Sequence, residues 1–323
     1  KFQDNNSDII EILQFCKDKG LDAPYFHFLT SKILMGLTSD LLHFIYEALK
    51  CFEKRKFSVA YSLLRKPVKE NLIFICWLFN NYENFIELFE QETDKTLNTL
   101  HESKRKTILS ETIEKLPIPE LFDAELLHDM IFSKQHPLGL EIPCQKATHL
   151  ITSQGNFLKT GRMFINSIFD DPNDINQYTP VYTSLPYIML FITHVILEGF
   201  NKLIKLNNRT YQHLILTSLA SYENLYTDGK KRLLTKSYAK HFKNLLKCIN
   251  CDKNIILTKE NSLRMFMTDN LICNHCHTLS EFPFYWLLAQ MESSITKNKS
   301  TEDSVWKDTI LSRMFKANKL ETL

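Results

Sequence analysis

Glycine is the scarce residue of this chain: 7 among 323, where average usage would supply roughly 20. Turn-rich β architectures draw on glycine for positive φ, and helices exclude it. The shortage therefore points to a mainly α protein. It also removes the loops that cradle phosphates. Gly-x-Gly-x-x-Gly and Walker sequences are both missing, which excludes the common nucleotide-binding turns. Gly-x-Ser-x-Gly and His-Glu-x-x-His are missing too, which sets aside α/β-hydrolase and zincin chemistry. No sign of charge dominates: the formal net charge is +2, so any nucleic-acid surface has to be a local patch. Long apolar runs are absent as well. The most apolar stretch, Leu185 to Leu197, carries Thr193 and His194 and falls short of the roughly 20 residues a bilayer requires. Lys1 to Gly20 is polar and amphipathic, with no signal peptide in view. The expectation is a soluble protein with no membrane partner.

What remains is ordinary globular material, 44% hydrophobic and 24% charged, and enough of it for two domains. Amphipathic spacing predicts a short helix over 9–19 and a longer one over 31–52, with Ile33, Leu34, Leu37, Leu41, Leu42, Ile45 and Leu49 on one broad face. One or two helices follow over 57–89, interrupted near Pro67. Residues 93–112 read as a solvated helix or connector, and Asp170 to Asp174 as a turn. Leu185 to Lys205 reads as the central buried helix and Arg209 to Tyr226 as its successor. The expected organisation is a helical bundle over 1–229, a basic helix with a cysteine module over 230–294, and a linker with a closing helix over 295–323. The fold class is mainly α, a multi-helix bundle followed by a small zinc-stabilised module with a β-hairpin.

The strongest chemical statement is a pair of pairs: Cys248-x2-Cys251 and Cys273-x2-Cys276. Thiolates at this spacing can close a tetrahedral S4 shell around a structural zinc ion. His275 or His277 replacing one thiolate, or iron in place of zinc, are the alternatives. Between the pairs, Ile255 to Thr258 and Leu263 to Thr268 flank the turn-like Lys259 to Ser262 and suggest the hairpin. After the second pair, Ser280 is a candidate N-cap for a helix over 281–293. Knuckle, hairpin and second knuckle at a helix start resemble a treble-clef finger, with a zinc ribbon as the near alternative. Asp252 and His277 stand where such families often carry glycine. Unpaired cysteines elsewhere (Cys16, Cys51, Cys76, Cys144) suit a reducing cytoplasm.

Leading into the first pair, Lys230 to Lys247 is rich in cations and contains no acid. Wound as one helix, it sets Arg232, Lys236, Lys240, Lys243 and Lys247 within an arc of about 80°. Lys230 and Lys231 extend this stripe at its start. It can neutralise nucleic-acid phosphates, or be a solvated face that keeps the chain soluble.

Three polar pairs are candidate catalytic groups. His194 and Glu198 share a face of the most apolar helix; burial there perturbs a titratable pair, or leaves a histidine satisfied by hydrogen bonds. Arg65 and Glu70 head another apolar helix, as a site or an orienting ion pair. Arg209 and His213 lie one turn apart. Glu125-x-x-His128 has di-iron spacing but no second copy. Arg followed by His within a helical chain is similar to the HEPN superfamily, which includes metal-independent ribonucleases of prokaryotic defence systems. Three residues intervene here, where that motif has four to six. The Arg65-to-Glu70 segment resembles helical abortive-infection proteins. The HEPN resemblance implies that Arg209 stabilises a scissile phosphate and His213 acts as acid or base. The expected function is therefore a nucleic-acid-directed protein, RNA foremost, with antiviral defence as its setting. The alternative is a non-catalytic scaffold whose zinc module docks a protein partner. A homo-oligomer is compatible with either.

Overall fold

The structure, a computed structural model, describes residues 4–91, 100–153, 159–166, 174–226 and 232–290. It is 71% helical, and its only sheet among these residues has two strands. Glycine scarcity and the fold class agree.

In the first compact unit, residues 1–188, α1 (Asp4–Asp18) leads into α2 (Asp22–Glu53). Helix α2 buries Leu34, Thr38, Leu41, Ile45, Ala48 and Phe52, a stripe at alternating spacings of four and three. This stripe packs on α3 (Phe57–Lys66), which buries Phe57, Ala60, Tyr61 and Leu64. Burying one such leucine or phenylalanine contributes about 1.5–3 kcal/mol. Leu42 and Leu49, assigned to the same face from sequence, are exposed. The apolar residues of α2 cover more of its circumference than its neighbours do.

The expected interruption at Pro67 is a π turn, Pro67–Asn71, that carries the chain on into α4 (Leu72–Asn80). Proline lacks an N–H and its ring crowds the carbonyl four residues back; a widened turn accommodates both. The buried Asn71 side chain anchors this turn to α2, donating to Leu37 O (3.2 Å) and Asp40 Oδ2 (2.7 Å). Helix α5 (Tyr82–Gln91) follows, then α6 (Glu102–Glu114), a 3-10 turn (Pro119–Leu121), α7 (Ala124–Phe132) and α8 (Glu141–Thr148). Asp123 caps α7 by accepting from Leu126 N (3.0 Å).

Helix α9 is longer than expected. It spans Asp174–Ile204, with Pro180 and Pro186 inside it. By length and composition it is apolar enough to cross a membrane, yet 56% of its most apolar window is buried inside the molecule. The two compact units divide within this helix, at Ile188 and Met189, whereas the sequence reading drew its boundary at 229.

The second unit continues with α10 (Asn208–Tyr226), α11 (Leu233–His241), α12 (Lys259–Thr268), strands β1 (Asn270–Ile272) and β2 (Leu279–Glu281), and α13 (Phe284–Gln290). Two expectations are corrected here. The span 230–247 is not one helix: α11 ends at His241, and Phe242 to Leu245 turn away. The predicted hairpin over 255–268 is mostly helix α12, because Thr258 Oγ1 accepts from Asn261 N (3.4 Å) as an N-cap. The hairpin lies further on. Strand β1 pairs antiparallel with β2, Asn270 opposite Glu281 and Ile272 opposite Leu279, and the second cysteine pair forms its tip. Ser280 therefore sits in β2 rather than capping a helix. The backbone of Tyr285, in the first turn of α13, instead donates to Asp269 Oδ1 (3.2 Å). The expected linker and closing helix over 295–319 lie outside the described residues.

Candidate metal centre

The module's core is small. Tyr238, Phe242, Leu246, Ile255, Leu257, Met265, Phe266, Leu271, Phe282 and Phe284 surround Cys248 and Cys273, with Ala220 of α10 closing one side. Much of this contact is aromatic, Phe284 meeting Tyr238 at 5.0 Å and Phe266 at 5.1 Å between centroids. The module's core thus draws on a helix well ahead of the first cysteine.

Each cysteine pair forms the same turn. Around the first, Lys247 bridges Asn254; Cys248 N donates to Lys253 O (2.9 Å) and Asp252 N to Cys248 O (3.0 Å). Around the second, Cys273 N donates to Thr278 O (3.0 Å) and His277 N to Cys273 O (3.1 Å). The first sulfur of each pair accepts a backbone N–H from two residues on, Asn250 to Cys248 and His275 to Cys273, both at 3.4 Å. Both turns close through a left-handed residue: Asp252 at φ 55° and His277 at φ 57°. These are the two positions where glycine was missing. Asp and His are among the side chains that enter this region most readily.

The turns bring four sulfurs together. Cys248 Sγ lies 3.5 Å from Cys276 Sγ, Cys251 Sγ lies 3.7 Å from Cys273 Sγ, and all four are within 4.8 Å of one another. Disulfide sulfurs would be about 2.05 Å apart. A tetrahedral shell with metal–sulfur bonds of about 2.3 Å spaces its sulfurs about 3.8 Å apart. The four thiols can therefore hold a metal ion. His275 and His277 are exposed and the group is complete without them. Protonation favours the same reading. The Thr278 hydroxyl, 3.2 Å from Cys276 Sγ, and the Thr278 backbone N–H draw that thiol down to about 5. Cys251, although the Lys253 N–H pulls it down, is pushed up to about 12 by burial and then by the three thiols crowded around it. Four thiols cannot all ionise at this distance unless a cation sits among them.

The basic stripe is not continuous. Lys236 and Lys240 are exposed on α11, whereas Lys243 and Lys247 lie beyond its end, also exposed. Arg232 is partly buried and donates to Asn224 Oδ1 (3.1 Å). It joins a hub in which buried Glu223 accepts from Leu234 N (3.1 Å) and Thr235 N (3.2 Å) at the start of α11. Lys230 and Lys231 lie outside the described residues. Sequence reasoning missed Lys253, exposed just after the first pair. With Lys247 it brackets Ile249, which is 82% exposed.

The candidate catalytic pairs lie in different surroundings. Arg65 meets Glu70 at 3.5 Å as a partly exposed ion pair in the first unit. His194 is fully buried, its Nε2 3.3 Å from Ser218 Oγ, and burial pulls it down to about 4. Glu198 takes its hydrogen bond from the Tyr211 hydroxyl instead. His213 is 4% exposed, its ring centroid 4.0 Å from that of Tyr285, while Arg209 is exposed. No family model, curated protein or solved structure matches this chain.

Proposed function

We propose that the four-cysteine module holds a structural zinc ion and presents its first knuckle to nucleic acid, RNA foremost. The observation that carries this reading is the knuckle's composition: Ile249 projects into solvent between the exposed cations Lys247 and Lys253, with Lys240 and Lys243 on the preceding segment. Cations neutralise phosphates and release their counterions, while a projecting apolar side chain can lie against an unstacked base. Zinc suits a closed S4 shell, which leaves no position for substrate. This reading makes the protein a reader rather than a metalloenzyme, and its free thiols suit the cytoplasm. A ribonuclease step at His213 would require its packed ring to open toward a phosphate.

A second reading rests on the other exposed apolar groups of the module, Ile256, Leu279 and Trp286 beside Ile249, which suit a protein partner. A titration with RNA and DNA at two salt concentrations separates the two. We expect one zinc per chain and salt-dependent binding, weakened at least tenfold when Lys240, Lys243, Lys247 and Lys253 are replaced together by Gln. Binding that ignores salt and these lysines, or no binding, moves the module to the protein-docking reading. Cleavage lost in His213→Ala would return the ribonuclease reading.

A further inference from the structure

A cavity of about 720 Å³ in the first unit lies between α6, α7 and the turn after α7, walled by Glu102, Arg105, His128, Phe132, Lys134 and His136. We infer that this cavity binds a small molecule through a phosphate group, with Arg105 as its fixed cation. Arg105 is held in place: its guanidinium lies 4.6 Å from the Phe132 centroid, and Nη1 donates to Leu100 O (2.6 Å). It forms no ion pair among the described residues. The carboxylates that sense its charge are already engaged, Glu141 by Lys69 (2.6 Å) and Glu102 by Lys106 (3.4 Å). A half-buried guanidinium whose neighbouring carboxylates are each tied to a lysine, at the wall of a cavity, favours an anion.

Two imidazoles stand beside it with unmet hydrogen bonds. His128 is 4% exposed, and neither ring nitrogen has a hydrogen-bond partner. Its Nδ1 is 3.6 Å from Asp129 Oδ1, beyond hydrogen-bond reach. His136 Nδ1 is likewise buried without a partner. Orphaned buried polar groups are costly and call for a ligand or water. Burial holds both rings neutral, with Arg105 and Lys106 adding to the effect at His128, so each can donate one N–H. Three separated donors suit a phosphate, with its three free oxygens, better than a two-oxygen carboxylate. Lys134, exposed, and Asp129, partly exposed, offer opposite charges at the rim to the rest of the ligand.

The turn that presents His136 is built rather than loose. Ser133 Oγ accepts from the backbone of Gln135 and His136 (both 3.2 Å), and Leu140 N donates to Met130 O (2.7 Å). Gly139 permits this approach, since a Cβ there would stand 3.1 Å from the carbonyl oxygens of Asp129 and His136.

The test is a titration of the full chain with inorganic phosphate, followed through the histidine ring resonances, with chloride at matched ionic strength as control. Saturable shifts of the His128 and His136 signals are expected. Arg105→Met should weaken the response roughly ten- to a hundredfold, and His136→Ala should weaken it while leaving the fold intact should Arg105→Met not fold. No phosphate-specific shift up to about 20 mM, a range that covers millimolar affinity, overturns the inference. A shift unchanged in these variants overturns it equally.

Discussion

The bundle core of the first unit and the core of the cysteine module are built on different principles. Helices α2, α3 and α4 bury leucine, isoleucine and aromatic side chains along their whole length, and Leu41, Tyr61, Leu64, Leu72 and Ile73 are closed to solvent without help from any ligand. The module buries far fewer side chains, and two of them, Cys248 and Cys273, belong to the four-cysteine group that can hold a metal ion. Its sheet has three residues per strand, too little to stand alone. A large core fixes geometry through packing, whereas a small one has to import a cross-link.

The largest expected effect follows from removing that cross-link. Structural zinc contributes about 10–16 kcal/mol of binding free energy in small modules, and that energy is folding energy. Chelation, or Cys276→Ser, should abolish amide protection over 246–287 and expose the module to protease. The bundle over 22–91 and 100–148 should keep its protection. Hydrogen exchange of the metal-loaded and chelated protein measures both at once. Equal loss of protection in the two regions would break the comparison and show the bundle to be as dependent on the metal as the module.

How much of this was legible in the sequence depended on range. Cys248, Cys251, Cys273 and Cys276 were readable because metal ligands come in short, chemically specific spacings. The helices were readable because periodicity is local. The buried face of α2 was only half readable: Leu42 and Leu49 look as apolar as Leu41, and only the neighbour's position decides that Thr38 and Ala48 go inward. The hairpin was misplaced because Leu263, Met265 and Met267 alternate like a strand, whereas the N-cap at Thr258 starts a helix there. Arg105 was invisible as a site residue. It lies in a polar stretch that reads as solvated, and nothing in one dimension shows that Phe132, His128 and His136 fold around it.

A second, smaller effect concerns how the module's helix α11 is fastened. Burial pushes Glu223 up to about 7, against the pull of the N–H groups of Thr235, Leu234 and Leu233 and of Arg232. Its folded value thus stands above the ordinary 4.5, so the protonated carboxyl is the form that folding favours. The stabilisation is fully present below that ordinary value and is lost as pH rises through about 7. Between about pH 6 and 8, where the thiolate site should stay loaded, the second unit should lose on the order of 1 kcal/mol. Glu223→Gln, which keeps a neutral acceptor at the α11 N-terminus, should flatten that slope. Denaturation midpoints of the two proteins across this range test it; parallel slopes would assign the pH dependence to other groups.

The smallest effect sharpens the comparison within the module, between its two near-identical knuckles. Asp252 and His277 occupy left-handed positions that cost a side chain more than they cost glycine. Their side chains do not contribute equally. An aspartate can return part of this cost through local hydrogen bonds, whereas histidine carries the bulkier ring. His277→Gly should therefore stabilise the metal-loaded module by about 0.5–1 kcal/mol, and Asp252→Gly by less. The more flexible glycine raises the entropy of the unfolded chain, which caps the gain in both. Competition with a chelator reads the difference directly, since any stabilisation of the folded knuckle tightens the metal by the same free energy. Were Asp252→Gly instead the larger gain, the first knuckle would carry the greater strain. The glycine-poor composition of this chain would then weigh most on the segment that bears Ile249 and its flanking lysines.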